Sequence, residues 1–414
     1  MYLSSWTTLN SWEKQVYKKW YVVNTKQTIW KVDISKLYDN TAGNDYNVLS
    51  WIVNTFPEVE NIEEAKMILE SSVWEKVPKL TVKWLTGWNY RKKIVIDHTK
   101  IDEYLTNFPV LVKLTSSNFD FTKAKYDGTD IRFTTSDGQT LLSYERERHD
   151  ATSGNAEYWV KIPFSSSKTD TVFYVYYGNS SATDGANSTD VWDSHYKGVW
   201  HLNETGTDTR KDSTSNGNNG TASGGVAGTA GKIGGANSFD GSDDYIDLGS
   251  NEKDSPLAIQ DKGTWSVWFY NREDKHASIL AQRYDKPYHG RGVGIGSTSI
   301  VRFWTRDSDT NWEEVNTQYN LNQWYYIVGI QNGNIIKLYL NGQYVDSLDM
   351  GSNLSSRYYS YYTIGKYTDD DYYFNGLIDE VRISDTARSP AWIKASYHSE
   401  NDTLLTYGAM ESVR

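Results

Sequence analysis

Gln323–Ser347 reads QWYYIVGIQNGNIIKLYLNGQYVDS, and this stretch decides the fold. Tyr326, Val328 and Ile330 recur at every second position of one run, and Ile336, Leu338 and Leu340 do so in the next. A period of two is the signature of a strand with one buried face. Asn332-Gly333 separates the two runs, and Asn341-Gly342 follows the second. Asn-Gly tolerates the positive φ that a tight hairpin turn requires and matches the strand twist. The stretch is therefore an antiparallel meander whose apolar face must be buried against a second sheet, which predicts a layered β-sandwich.

With 414 residues the chain predicts two or three domains. Aromatic residues make up 14%, with 17 Trp and 32 Tyr, an excess that suits strands and surfaces that stack on flat ligands. The net charge of −11 argues against nucleic-acid binding, which needs clustered Lys and Arg, and leaves carboxylates for hard cations. The absence of cysteine excludes disulfides, zinc-thiolate sites and a Cys nucleophile. No apolar run is long enough to span a membrane, so no membrane insertion is expected. The opening MYLSSWTTLNSWEKQVYKKW lacks the apolar core of a signal peptide.

Residues 1–86 read as a small mixed α/β segment, rich in Trp and balanced in charge. Short strands are expected at Tyr21–Val23 and Ile29–Val32. A helix is expected from Asn61 to Glu75, with an Asn cap, acids in its first turn and Pro78 just past its end. From residue 87 strand-like runs alternate with turn signals: Trp88–Ile96, Phe108–Leu114, Asp127–Phe133, Glu157–Pro163 and Thr171–Asn179. These motifs, W-x-Y-R-K-K-I-x-I, F-P-V-L-V, D-G-x-D-I-R-F-T, W-V-K-I-P and Y-V-Y-Y-G-N, resemble a β-domain of unknown function. That domain is found ahead of lectin-like domains in phage, archaeal and bacterial surface proteins. The resemblance covers 87–182. Residues 183–195 are a small-residue polar linker.

The run from 196 to 398 carries D-x-T-x-N-G-N-x-G, F-D-G-S-D-D-Y-I, W-S-V-W-F, the Gln323–Ser347 meander and F-N-G-L-I-D-E-V-R-I. In this order the motifs resemble the concanavalin A-like, laminin-G-like jelly roll. Residues 399–414 read as a C-terminal tail. The expected class is mainly β: two tandem β-sandwich or jelly-roll domains behind a small mixed α/β segment.

Enzymes of the resembled fold carry alternating acids, E-x-D-x-x-E or E-x-D-x-E, on one strand, and no such run occurs here. Asp379 and Glu380 are adjacent, so strand alternation sends them to opposite faces. Glu145 and Glu147 share a face but sit among arginines, as in a salt-bridged strand surface. The chain is therefore read as non-catalytic. The resemblance implies a structural Ca2+, with Asp379 in the last strand and Asp212 in the D-x-T-x-N-G loop as its ligands. The alternative is that Asp212 caps its own turn and Asp379 accepts a backbone hydrogen bond. Sugar contact calls for flat aromatics with polar neighbours. The candidates are Tyr284, Tyr288, Arg291, Trp304, Arg306 and Trp312, with Tyr359, Tyr361 and Tyr367 from the Tyr-rich run further on.

These readings combine into a glycan-recognition or display protein on the surface of a phage or archaeal virion, such as a tail fibre, head fibre or capsid decoration protein. Its expected partners are a cell-surface glycan, other virion proteins through residues 1–86, and further copies of itself, because avidity compensates weak sugar affinity. Three alternatives stand: a secreted or cell-surface adhesin, a polysaccharide-degrading enzyme, and a purely structural particle or filament protein.

Overall fold

The computed structural model describes residues 2–3, 6–9, 14–17, 20–24, 27–32, 83–250, 257, 259, 261–284, 290–306, 312–351, 360–367 and 372–413. Five short strands lie further toward the N-terminus: Tyr2–Leu3, Trp6–Leu9, Lys14–Tyr17, Trp20–Asn24 and Gln27–Val32. The helix expected at Asn61–Glu75 lies outside these residues.

The first sandwich pairs two antiparallel sheets. One has three strands in the order Tyr144–Asp150, Asn155–Ser165, Leu105–Thr115. Alternation decides its faces: Phe108, Val110, Val112 and Leu114 enter the core with Ile94, Phe133, Phe173 and Val175, while Leu111 points the other way. The second sheet has five strands, and its outermost member is Leu405–Ser412, hydrogen-bonded beside Tyr90–Ile96. Residues 399–414 are thus not a tail. Leu404 is buried in the first core, and the Tyr407 hydroxyl accepts the Lys113 N–H at 3.1 Å. Strand pairing of Ile94 with Tyr407 closes the sandwich across more than 300 residues of chain. The two domains are therefore not strictly tandem, because the jelly roll is inserted into the first sandwich.

The jelly roll is built from two larger sheets. One contains Asn375–Ser384, Lys262–Asn271, Trp324–Asn332, Ile335–Leu340 and Gln343–Asp349 as successive neighbours. The other runs from Thr209–Arg210 through Ala277–Tyr284, Gly290–Gly296 and Ile300–Arg306 to Trp312–Gln318. The meander forms as its pattern predicts, and Asn341 and Gly342 both take positive φ, 51° and 75°. The first turn falls one residue later than expected. Asn332 pairs with Ile335, so Gly333-Asn334 make the loop.

The faces of the meander also differ from expectation. Ile327 pairs with Leu340 and Gly329 with Leu338 on the core side. Tyr326, Val328 and Ile330 face the other way, where they are buried against Trp268, Tyr339 and Ile393. A strand covered on both sides reads as continuously apolar, so one periodicity could not separate its faces. Gly329 leaves no room for a side chain, since a Cβ there would sit 2.1 Å from the Phe303 ring. Gly329→Ala is expected to cost about 1–3 kcal/mol by overpacking. Denaturant unfolding measures it, and an unchanged midpoint would show that Phe303 moves freely.

The second cover is the helix Pro390–Glu400. Ser389 caps it by accepting the Trp392 N–H at 3.2 Å, and Pro390 occupies its first turn. Ala391 and Ala395, one helical turn apart, enter the first core. Ile393 and Tyr397, on the opposite side, pack on the jelly roll. The helix is a wedge shared by both sandwiches.

Candidate functional site

Two places bring polar and aromatic side chains together. The first lies on the outer face of the second jelly-roll sheet. Val301, Phe303 and Thr305 point into the sandwich, so Arg302, Trp304 and Arg306 point out. The neighbouring strand sets small residues beside them, with Gly292 opposite Trp304 and Gly294 opposite Arg302. Trp312 folds over this surface and stacks on Trp304, with ring centroids 5.0 Å apart and planes at 8°. Tyr367 meets Trp304 edge-on at 4.7 Å. The Arg302 guanidinium lies 4.9 Å from the Trp312 ring centre and donates to Glu314 at 2.9 Å. Glu314 also accepts the Trp312 indole N–H at 2.9 Å, which fixes the ring. His276, hydrogen-bonded to Arg302, lies against Tyr372 with ring centroids 4.9 Å apart. Burial, with the Arg302 charge beside it, lowers the His276 pKa and keeps the ring neutral.

These side chains enclose an open slot of about 150 Å3. At the ~30 Å3 that each water takes in the liquid, that is the room of about five waters. Trp304 is closed off, while Trp312 and Tyr372 are 38% and 39% exposed. No carboxylate is among the described residues that line the slot.

Four of the sugar-contact residues expected from the sequence, Trp304, Arg306, Trp312 and Tyr367, meet in this slot. Tyr361 is exposed on the same outer face but outside the slot, on the strand that pairs with Ala277–Tyr284, since its neighbour Tyr362 points into the core. Tyr284 ends that strand. Tyr288 and Tyr359 lie outside the described residues. Arg291 belongs to the interior: alternation turns it inward, and it bonds to Gln331 and, at 2.7 Å, to the Ile259 carbonyl. Its guanidinium also covers the Trp265 ring at 5.0 Å. His276 and Arg302 were not among the expected residues, because nothing in their local sequence separates them from ordinary strand residues.

The second place is buried between the two sandwiches. His201 follows the Tyr196–Trp200 strand, stacks on Trp159 at 5.8 Å and pairs through Nδ1 with Glu380 at 2.8 Å. Its other nitrogen lies 3.3 Å from Glu145, and Glu147 approaches Nδ1 to 3.7 Å. Glu145 and Glu147 are therefore not a salt-bridged strand surface. A bulge puts Glu147 between Arg146 and Arg148 of the ladder, and a second leaves Glu380 at φ 53° with no single partner. Bulges re-aim side chains, and these two direct acids from both domains onto one imidazole. The same bulge breaks the alternation expected for Asp379 and Glu380, and both are fully buried.

Glu145 accepts from the Ser213 hydroxyl at 2.6 Å and the Trp192 indole at 2.9 Å. Burial alone would raise its pKa, but the His201 charge and these bonds hold it below the usual range. Among the described residues Glu147 accepts only the Trp159 indole, and burial pushes it up to about 8. His201 loses by burial and gains more from the Glu380, Glu145 and Glu147 charges, so it is held as imidazolium. Arg382 spans Glu380 and Glu400 and covers the Trp159 ring at 4.4 Å. The cluster is a charge-compensated, buried clasp.

The two expected calcium ligands are engaged otherwise. Asp212 accepts the N–H groups of Val199, Thr214 and Asn218 at 3.0, 2.9 and 2.8 Å, and the Thr214 hydroxyl at 2.8 Å. Both of its oxygens face donors of its own loop, an arrangement that does not fit a cation. Asp379 accepts the Ile233 N–H at 2.9 Å, and burial followed by the Glu380 charge raises its pKa well above the usual range.

Residues 240–394 match the family model of the concanavalin A-like lectin/glucanases superfamily. Residues 127–211 match a domain family of unknown function, a span that includes Glu145, Glu147 and His201. No curated protein matches the chain. Among solved structures, the chain is similar to domain 4 of an extracellular arabinanase from Geobacillus stearothermophilus, solved in complex with arabinotriose. The identity is 20% and the TM-score 0.41, over 50% of this chain and 98% of that domain. It is also similar to the binding domain of botulinum neurotoxin DC, in complexes with rat synaptotagmin II and with SialylT. There the identities are 14% and 15%, with TM-scores of 0.40 and 0.41, and the match spans about half the length of each binding domain.

Proposed function

We propose that this chain is a non-catalytic glycan-recognition protein and that the Trp312–Trp304–Tyr367 slot is where it holds a sugar. One observation carries the reading: two stacked indoles, one exposed, beside an edge-on tyrosine on an otherwise small-residue sheet face. Sugar rings offer C–H faces that stack on aromatics and hydroxyl edges that pair with groups such as Arg302, Arg306 and His276. A stacked pair with its outer ring exposed is poor core and a preformed platform. Glycoside cleavage uses two carboxylates, and none is among the described residues lining the slot. The reading extends to display on the surface of a phage or archaeal virus. Its support is the first sandwich's resemblance to surface-protein domains and a composition without cysteine. Immunogold labelling of purified particles tests that location.

Probing a glycan array with the full chain, and incubating the hits with it, tests the function. Binding to a defined glycan class with no release of reducing ends is the expected result. Turnover of any hit would replace the reading with an enzymatic one, and an array without hits would remove it.

A further inference from the structure

The hairpin Phe239–Tyr245 lies apart from both sites and holds three carboxylates. Oxygens of Asp240, Asp243 and Asp244 lie within 4.8 Å of one another. Asp240 uses one oxygen to accept the Ser242 N–H at 2.8 Å. Asp244 gives one oxygen to the Asp240 N–H at 2.9 Å. Its other oxygen, Oδ1, is buried without a hydrogen-bond partner, on a residue only 4% exposed. That oxygen faces the bare Cα of Gly225, where a Cβ would stand 3.4 Å away. Burying an unpaired carboxylate oxygen is costly unless a proton or a cation meets it.

The cations near this hairpin are turned to other tasks. Lys275 reaches the Gly241 carbonyl at 3.5 Å, and Lys366 sits 3.3 Å over the Tyr245 ring. No ion pair joins a described Lys, Arg or His to these three acids. The His201 clasp differs, because His201 and Arg382 already balance its acids.

We propose that the Asp240–Asp244 hairpin binds a hard divalent cation, Ca2+, through Asp240, Asp243 and the unpartnered oxygen of Asp244. All-oxygen donors, with two of the three residues exposed to water, suit Ca2+ over softer metals. The site is distinct from Asp212 and Asp379. It also touches the loop that carries the sugar slot: Gly365 packs against the Asp244 carbonyl, two residues before Tyr367.

Calorimetric Ca2+ titration of the EDTA-treated full chain tests it, with thermal melting alongside. One saturable site and a higher melting temperature with Ca2+ are expected. Asp243→Asn, an isosteric change at an exposed residue, should weaken binding on the order of tenfold or more. Asp244→Asn should do the same, and Asp379→Asn should leave binding unchanged. Absence of both heat and melting shift in the wild-type chain would overturn the proposal. Binding that survives Asp243→Asn, or that disappears with Asp379→Asn, would overturn it equally.

Discussion

A chain ending at residue 400 should lose the first sandwich, although the deletion removes only its last strand. Leu405–Ser412 supplies a whole edge beside Tyr90–Ile96. Leu404 and Tyr407 go with it, from a core that also holds Ile94, Phe108 and Val175. Buried Leu404 is worth about 1.5–3 kcal/mol, half-buried Tyr407 adds a smaller share, and the lost ladder exposes further backbone. The sum is a large part of the ~5–15 kcal/mol that holds a domain folded. Hydrogen exchange reads the outcome directly. Amides of Tyr90–Ile96 and Thr171–Tyr177 should lose protection, while those of Trp324–Asn332 should keep theirs. Retained protection at Tyr90–Ile96 would mean that the strand is an ornament and the first sandwich closes without it.

The His201 clasp gives the second large effect. His201→Ala leaves Glu145, Glu147 and Glu380 buried around an absent cation, and removing one partner of a buried pair costs about 3–5 kcal/mol. The loss should appear as separated melting of two sandwiches that otherwise unfold together. Glu147→Gln has the opposite character. Its amide keeps the shape of the acid and is neutral at every pH, so the fold should tolerate it.

The pH dependence follows from the same geometry. Glu147 binds its proton more tightly when folded, at about 8 against an ordinary 4.5. Its contribution to stability is therefore complete below about pH 4.5 and is lost as pH rises toward 8. His201, raised above its ordinary 6.5, likewise contributes fully below 6.5 and loses its share as pH rises through its folded value. Glu145 runs the other way: its pKa is depressed, so its contribution is present above 4.5 and lost as pH falls. Stability should peak on the mildly acidic side and fall toward alkaline pH, by at most about 1.4 kcal/mol per pH unit for each proton released. Glu147→Gln should flatten the decline between pH 5 and 8, as followed by urea midpoints. An equally steep decline in the variant would assign the titration to another group.

Much of the fold was legible because hairpins announce themselves locally. Asn341-Gly342 and the alternating runs around it needed no partner to be read. The catalytic signature was absent from the sequence for the same local reason, since acids that share one strand must alternate. What was not legible depends on contacts far along the chain. Residues 399–414 look like a tail until Tyr407 is seen beside Ile94. Tyr326, Val328 and Ile330 look like a core face until the Pro390–Glu400 helix is seen covering them. Glu145 and Glu147 sit among arginines and read as solvated, yet a one-residue bulge turns Glu147 inward onto His201. Arg291 was expected in a binding loop, but strand alternation buries it against Trp265 and Gln331. The sugar slot was half visible: its indoles stood out by type, whereas His276 and Arg302 acquire meaning only beside Trp312.

Calorimetry on the strongest array hit, with the wild-type chain, Trp312→Ala and Tyr344→Ala, tests the slot itself. Tyr344 is also an exposed aromatic of the jelly roll but lies on the edge strand Gln343–Asp349 of the other sheet. Trp312→Ala should weaken binding by about tenfold or more, at least ~1.4 kcal/mol, with little change in melting temperature, while Tyr344→Ala should bind as the wild type does. Unchanged affinity in Trp312→Ala, with the fold intact, would contradict the assignment of glycan recognition to this face.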